Sequence, residues 1–146
     1  MIVFNHGPHG DAIAKAARCG YNPRIDQVIS RVDAEGELLG GVIFQSFTGL
    51  SIHVHMAGFR DNWCNRDMLW CIFDYAFNQL ECKKVFGQVP EANSKALEID
   101  LKLGFKVIAK IDDVFPEGAC LVVGMLHEDC RWLKLKPRSL RSRQGA

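Results

Sequence analysis

The sequence contains no long apolar run. No segment of its 146 residues approaches the roughly 18 consecutive apolar residues that a membrane-spanning helix needs. The opening residues, MIVFNHGPHG, also lack the basic segment and the apolar core of a secretory leader. We therefore expect a cytoplasmic protein with no membrane segment.

Disulfide and metal-site spacings are missing as well. The six cysteines form no C-x-x-C pair and are scattered through apolar segments. His53 and His55 form a His-x-His pair, but no third ligand stands at a recognisable spacing from them. We predict no metal cofactor and mostly buried, free thiols. The thiols belong to Cys19, Cys64, Cys71, Cys82, Cys120 and Cys130.

The composition is that of one globular domain followed by a charged tail. With 48% apolar and 24% charged residues, the 146 positions suffice for one core and leave no room for a second domain. Residues 134–146 include five basic residues and no acidic one, although the whole chain has a net charge of only +1. We predict a domain over residues 1–133 and a basic, disordered tail over residues 134–146. The basic residues are Lys134, Lys136, Arg138, Arg141 and Arg143.

Contact between this tail and nucleic acid is a less favoured alternative. Basic residues bind phosphate backbones without regard to sequence. However, no aromatic residues are interleaved with them, and the tail matches no recognised nucleic-acid-binding fold.

The first half of the chain predicts one helix and a meander of strands. A short strand, IVFN, precedes a two-turn helix over residues 11–18, which ends near Gly20. Three β-rich segments follow, with connections too short for anything but antiparallel neighbours. These segments are QVISRV, ELLGGVIFQSF and LSIHVHMAGF.

The second half predicts a crossover helix and a closing hairpin. Apolar residues recur with helical spacing between about residues 66 and 80, and this helix leads into the strand KKVFGQVP. Asn93 then caps a further helix, which ends at Gly104 in a left-handed conformation. Two strands, FKVIAKI and ACLVVGML, complete the domain. The apolar stripe consists of Leu69, Ile72, Phe73, Ala76, Phe77 and Leu80.

Together these elements predict an α/β fold with the order β-α-β-β-β-α-β-α-β-β. The crossover helix places LSIHVHMAGF and KKVFGQVP side by side and parallel, through a right-handed connection. All other strand pairs are antiparallel. We therefore expect a mixed, mostly antiparallel sheet with one central parallel pair and helices on both faces.

The segment YAFNQLECKKVFGQVPEANSKALEIDLKLGFKVIAKI resembles the second half of a GCN5-related N-acetyltransferase. The resemblance covers residues 41–132 and rests on the order and spacing of Ala76-Phe77, Asn93 and Gly104-Phe105. It is nearest to the branch that includes the ribosomal-protein alanine acetyltransferases, and it extends to small members carried by phages and prophages.

The resemblance implies acetyl-CoA as co-substrate, held where the two parallel strands separate. The strand edge at residues 56–59 would pair with the amides of the pantetheine arm. The segment RDNWCN would hold the diphosphate at a helix N-terminus. The implied cofactor-binding residues are Met56, Ala57, Gly58, Phe59, Arg60, Trp63, Asn65, Arg66 and Asn93.

The same resemblance makes the two histidines candidates for the catalytic base. A neutral imidazole, with an ordinary pKa of about 6.5, can accept the proton of an ammonium group through water. We expect His55 to be the better candidate than His53, because it lies nearer to the point where the strands separate. The alternative is that both histidines only pack under a helix or lie on an exposed face.

Three departures from the family pattern leave the function open. RDNWCNRD contains none of the glycines that let a loop approach phosphates closely. Asp100 stands where many members have a tyrosine that protonates the leaving thiolate, and an aspartate with the ordinary pKa of about 3.9 is ionised at neutral pH. Only one helix fits between Pro8 and Gln27, where the family has two, which predicts an open acceptor site.

The function that these observations favour is N-acetyl transfer from acetyl-CoA to the amine of a protein or peptide. A non-catalytic module that keeps the fold for binding or assembly is the main alternative. A protein that contacts nucleic acid through its tail is a third. Trp63 and Trp70 could stack on the adenine of the cofactor, but the core or an interface is the favoured place for them. Trp70 lies off the apolar stripe of the crossover helix, which leaves a homodimer open.

Overall fold

The computed structural model describes residues 1–137, and the remainder of the basic tail lies outside the described residues. The predicted order of strands and helices is confirmed. The elements are β1 (Ile2–Phe4), α1 (Gly7–Ala17), β2 (Gln27–Val32), β3 (Leu38–Gln45), β4 (Ser51–Gly58), α2 (Arg66–Phe73), β5 (Lys84–Pro90), α3 (Ser94–Leu103), β6 (Lys106–Phe115) and β7 (Gly118–Leu126).

The strands form one seven-stranded sheet in the order β1-β2-β3-β4-β5-β7-β6. Strands β4 and β5 are parallel, as predicted, and all other neighbours are antiparallel. The parallel pairing covers only three residue pairs, from Ser51 with Lys84 to His53 with Phe86. Beyond them β5 remains paired with β7 as far as Pro90, and β4 remains paired with β3 as far as Gly58. The two central strands therefore separate within the sheet.

Helices cover both faces of this sheet. On one face the predicted apolar stripe of α2 is buried at Leu69, Ile72 and Phe73 and continues at Ala76 and Phe77. Full burial of one such Leu, Ile or Phe side chain stabilises a fold by about 1.5–3 kcal/mol. The side chains of α3 that pack inward join the same cluster. On the opposite face α1 packs its buried residues against β2 and β3 in a smaller cluster.

Helix α1 begins earlier than predicted, and the predicted crossover helix is α-helical only in its first half. The first residue of α1 is Gly7 instead of Asp11, because Pro8 stands in the first turn, where its missing N–H is not needed. After Phe73 the crossover continues as a π-helical segment, Asp74–Gln79. Periodicity alone does not distinguish this wider turn from α-helix.

Strand β6 also differs from the sequence expectation, whereas Trp70 takes one of the two places expected for it, the core or an interface. From the sequence, the polar segment DDVFPEG is expected to be the turn that joins FKVIAKI to ACLVVGML. Most of it is strand, since β6 runs to Phe115 with an irregular register after Ile111, and the turn itself contains Pro116 and Glu117. The side chain of Trp70 is only 9% exposed, so it belongs to the core.

The single N-terminal helix is confirmed, because residues 18–26 form turns and coil before β2 begins. After β7 a 3₁₀ helix, Arg131–Leu135, packs on the core through Trp132 and Leu133. Among the residues described, no helix is both long enough and apolar enough to cross a bilayer.

Candidate active site

A cavity of about 550 Å³ opens where β4 and β5 separate. Successive side chains of β4 point to opposite faces of the sheet. Val54 and Met56 belong to the cluster on the α2 face, whereas Ala57 packs against the cluster of α1. His55 has the same orientation as Ala57 by this alternation. Since Val54, His55 and Met56 all line the cavity, it passes between the strands from one face to the other.

The two ends of the cavity have different walls. On the face that carries α3, the wall includes Asn93, Ala96 and Asp100, which share one side of that helix. On the face that carries α1, the wall comes from the end of that helix and from the β6–β7 turn. The residues on the α1 side are Ala16, Ala17, Arg18, Phe115 and Glu117.

Asn93 caps α3, as predicted, and also faces the cavity. Its Oδ1 accepts a hydrogen bond of 3.1 Å from the backbone N–H of Ala96. An N-cap of this kind stabilises a helix by about 1 kcal/mol. Within residues 1–137 its Nδ2 has no hydrogen-bond acceptor, so this N–H₂ group remains able to bind a ligand carbonyl.

Asp100 is not an ordinary surface aspartate, which corrects the sequence expectation. It lies seven residues after Asn93, two helical turns along the same side of α3. Burial against the apolar cavity wall raises the pKa of the Asp100 carboxyl to about 6. Among the described residues, its side chain has neither an ion pair nor a hydrogen bond. The group is therefore half protonated near pH 6.

His55 lines the cavity, whereas His53 does not and lies where β4 is still paired with β5. The two rings share a face of β4, with their centroids 6.4 Å apart, and the ring of His53 packs against Phe86 at 5.4 Å. Burial lowers the pKa of His55, and the neighbouring His53 lowers it further, although Asp26 acts in the opposite direction. Burial also lowers the pKa of His53. Both imidazoles are thus neutral at pH 7 and able to accept a proton.

Trp63 occupies the surface of the sheet beside the cavity. Its indole lies over a glycine pair in which Gly40 is opposite Gly58. A Cβ atom on Gly58 would come within 2.1 Å of the Trp63 Nε1 atom, and one on Gly40 within 2.6 Å of Cδ2. Only glycine at both positions lets the ring approach this closely. The aromatic ring therefore fills the space beside the end of β4.

The N-terminus of α2 offers a limited set of donors for an anion. Asn65 caps the helix, and its Oδ1 accepts from the N–H of Met68 at 2.9 Å. The N–H of Leu69 is bonded to the Asn65 carbonyl. This leaves the N–H groups of Arg66 and Asp67 without an intrahelical acceptor. The Arg66 side chain is exposed.

The structure brings together part of the predicted site. His55, Met56, Gly58, Trp63 and Asn93 line the cavity. Six other predicted residues are not among those that line it. They are His53, Ala57, Phe59, Arg60, Asn65 and Arg66.

Several cavity residues were missed by the sequence analysis. Gln88 stands between the buried Gly87 and Val89 on β5, where strand alternation could have marked it as exposed. The spacing of Asn93, Ala96 and Asp100 is a helical stripe that periodicity could have revealed. Arg18 and Glu117 had no such signal, since they lie 99 residues apart. Within residues 1–137, no three His, Cys, Asp or Glu side chains cluster as metal ligands would.

The fold is that of the GCN5-related N-acetyltransferases, which confirms the predicted fold class. Three solved structures of polyamine N-acetyltransferases from Vibrio cholerae share it. A mutant form of spermidine/spermine N-acetyltransferase superposes with a TM-score of 0.68 at 14% identity, covering 92% of this chain and 98% of that one. Spermidine N-acetyltransferase in complex with CoA and spermine gives 0.64 at 16% identity, covering 82% and 74%.

The third structure is a dodecameric spermidine N-acetyltransferase in an intermediate state. Its TM-score is 0.63 at 18% identity, with 70% of this chain and 66% of that chain covered. No protein-family model matches the sequence, and neither does any curated protein. At these identities the likeness establishes the fold, while the chemistry must be argued from the cavity.

Proposed function

We propose that this protein is an N-acetyltransferase that transfers acetyl from acetyl-CoA to an amine. The observation that carries the proposal is the cavity between β4 and β5, with a neutral histidine on one side and, on the other, an aspartate whose pKa is raised to about 6. Acyl transfer to an amine needs both a base for the ammonium and an acid for the leaving thiolate. A neighbour of the same fold has been solved with CoA and spermine.

Acetyl-CoA would enter from the α3 face. Residues 54–58 of β4 have no β5 partner along this edge, so their backbone groups are free to pair with the pantetheine amides. The Asn93 Nδ2 group adds a donor from α3. For the diphosphate, the free N–H groups at the start of α2 and the charges of Arg60 and Arg66 replace the missing glycine-rich loop.

His55 would act as the base on the α1 side. Its lowered pKa keeps the imidazole neutral at pH 7, so it can take a proton from the attacking ammonium, directly or through water. Asp100 would return a proton to the departing sulfur on the α3 side. A carboxyl with a pKa of about 6 is a usable donor to a thiolate whose conjugate acid has a pKa near 8.5.

For the acceptor we propose a small polyamine in place of the predicted protein or peptide amine. The neighbours are spermidine and spermine acetyltransferases. In addition, the ion pair of Arg18 with Glu117 spans the α1 side of the cavity, where the short N-terminal half predicted an open acceptor site. The specific likeness to ribosomal-protein alanine and phage enzymes stays a prediction, as do the homodimer and nucleic-acid binding by the tail.

The second candidate function is a non-catalytic binding module. Trp63 favours it, because its ring covers the glycine pair beside the cofactor loop, and that loop contains no glycine. A protein that has lost acetyl-CoA but kept the fold would show these features.

Thermal denaturation with acetyl-CoA separates the two functions. A ligand at a hundred times its dissociation constant stabilises the native state by about 2.7 kcal/mol. For a domain of this size that raises the Tm by roughly 5–11 °C, at about 2–4 °C per kcal/mol. Arg66→Gln should reduce the shift, and Lys95→Gln, an exposed residue of α3 that does not line the cavity, serves as the matched control.

Thiol release with spermidine and with lysine peptides then identifies the acceptor class. The assay is run at several pH values between about 6 and 8, because a larger fraction of the amine becomes neutral as the pH rises, whereas Asp100, with a pKa of about 6, loses its proton. No shift of the Tm at millimolar acetyl-CoA would refute the enzyme and leave the binding module.

A further inference from the structure

The positively charged guanidinium of Arg18 spans the α1 side of the cavity. The Nη1 group of Arg18 donates a hydrogen bond to Oε1 of Glu117, and the guanidinium carbon lies 5.0 Å from the centre of the Phe115 ring. All three residues line the cavity. The hydrogen bond from Arg18 lowers the pKa of the Glu117 carboxyl, which is therefore ionised at neutral pH.

The carboxylate and the ring are held together by a tight turn. Phe115 is paired with Gly118 across the β6–β7 turn, and Pro116 fixes one backbone torsion between them. Arg18 approaches from the other side as the C-cap of α1, in a left-handed conformation with φ of 60°. The receptor for the cation is thus one preformed turn, whereas the cation itself comes from a separate element.

A carboxylate beside an aromatic face is a general recognition site for organic cations. In this protein the guanidinium already fills that site. The side chains of Arg18 and Glu117 are 49% and 37% exposed, and ion pairs at such exposure are weak because water and salt screen them. An incoming cation can therefore compete with Arg18.

We propose that Phe115 and Glu117 form a binding site for a second positive charge of the acceptor, and that Arg18 occupies this site until the acceptor displaces it. The acceptor class is then an alkyl polyamine, with one ammonium on the Phe115–Glu117 turn and the reacting nitrogen further inside, near His55. This inference rests on the proposed function, since it assigns the acceptor side of the same cavity.

Calorimetric titration of spermidine into the unliganded protein tests the proposal without turnover. Arg18→Gln removes the internal competitor and should tighten spermidine binding by about two- to fivefold, the range expected for loss of one exposed ion pair. Glu117→Gln removes the receptor charge and should weaken binding by about fivefold or more. Butylamine, which has a single charge, should respond to neither change by more than about twofold.

Matched controls separate recognition from general charge effects. Arg24→Gln and Glu35→Gln alter exposed residues outside the cavity and should leave spermidine affinity unchanged. All substituted positions are exposed or half-exposed, and the Tm of each variant verifies folding. Weaker spermidine binding in Arg18→Gln, or unchanged binding in Glu117→Gln, would overturn the proposal and leave the ion pair as a purely structural contact.

Measuring acetyl-CoA binding beside spermidine binding distinguishes failure of this inference from failure of the proposed function. Acetyl-CoA binding with no spermidine response at Glu117 overturns this inference and leaves the acetyltransferase intact. Spermidine binding through Glu117 without acetyl-CoA binding supports the cation site and overturns the enzyme. Preferential binding of a lysine peptide would likewise overturn the polyamine assignment.

Discussion

At the scale of single residues, the cavity shifts the pKa values of two titratable groups in opposite directions. Burial favours the neutral form of any ionisable side chain, so it raises the pKa of Asp100 and lowers that of His55. The result is a carboxyl that retains its proton longer than usual and an imidazole that remains free to accept one. Such a pair of groups with displaced pKa values is the arrangement that acid–base catalysis needs.

Replacement of Asp100 should change how stability depends on pH. Because its folded-state pKa, about 6, exceeds the unfolded value of 3.8, the favourable contribution of the protonated group is complete below pH 3.8 and is lost as the pH rises through 6. Asp100→Asn cannot ionise, so it should match the parent near pH 4 and exceed its stability at pH 7.5 by up to about 3 kcal/mol.

Urea denaturation at the two pH values measures this difference. The exposed Asp113 provides a control, since Asp113→Asn should show the same stability difference from the parent at both pH values. If Asp100→Asn and the parent have parallel pH profiles, the carboxyl is hydrated and cannot serve as the acid. A lower kcat for Asp100→Asn would separately support the catalytic role.

Asn93 should contribute to acetyl-CoA binding as well as to helix capping. Asn93→Ala removes both the cap and the free Nδ2 donor, and should weaken acetyl-CoA binding by about 1–2 kcal/mol. Asn93→Ser keeps an oxygen for the cap but replaces the Nδ2 group by a hydroxyl on a shorter side chain that does not reach the same point, so it should preserve stability and still bind weakly. Calorimetry gives the affinities and thermal denaturation the stabilities. Unchanged affinity in both variants would remove Asn93 from the cofactor site.

At the scale of elements, α3 is the least firmly anchored part of the cavity wall. None of its ten residues is buried, although Ala96, Leu97 and Leu103 pack partly against the core. Helices with few buried contacts open locally at low free energy. By contrast, α2, which covers the same face of the sheet, buries five of its eight residues.

Acetyl-CoA should therefore stabilise α3 selectively. Amide hydrogen exchange should slow in Ser94–Leu103 when acetyl-CoA binds, because the ligand would add contacts to a helix that opens easily. The amides of Arg66–Phe73 beyond the first turn should change much less. Equal protection in both helices would indicate global stabilisation, and no protection in α3 would argue against its contact with the ligand.

At the scale of the whole molecule, the chain after β7 closes the core. The Nε1 group of Trp132 donates a hydrogen bond of 2.8 Å to the Leu103 carbonyl at the end of α3. Arg131 lies over the Trp132 ring at 4.3 Å. This 3₁₀ helix also packs against α2. It thereby links the two helices that cover one face of the sheet.

Truncations should distinguish this helix from the basic tail. A chain that ends at Pro137 should keep the Tm of the full chain, as predicted for a solvated tail. A chain that ends at Cys130 loses Trp132 and Leu133 and should be destabilised by about 2 kcal/mol or more. Thermal denaturation of the three chains gives the comparison. A large loss on removal of residues 138–146 would show that the tail contributes to the fold.

The sequence by itself determined the order of the elements and the parallel crossover. These depend on local signals: the apolar stripe of α2, the Asn93 cap and the left-handed Gly104 all act within a few residues of chain. Helix boundaries were less well predicted, since Pro8 admits an earlier start and the π-helical segment of six residues is too short for its wider turn to alter the apolar pattern.

The tertiary structure alone decided how the cavity is built and charged. The raised pKa of Asp100 depends on apolar walls contributed by distant strands, so the spacing from Asn93 could mark the position but not its protonation. Arg18, Phe115 and Glu117 meet only because α1 and the β6–β7 turn reach the same end of the gap between β4 and β5. Contacts between residues far apart in the chain leave no periodic signal, because packing and not local conformation brings them together.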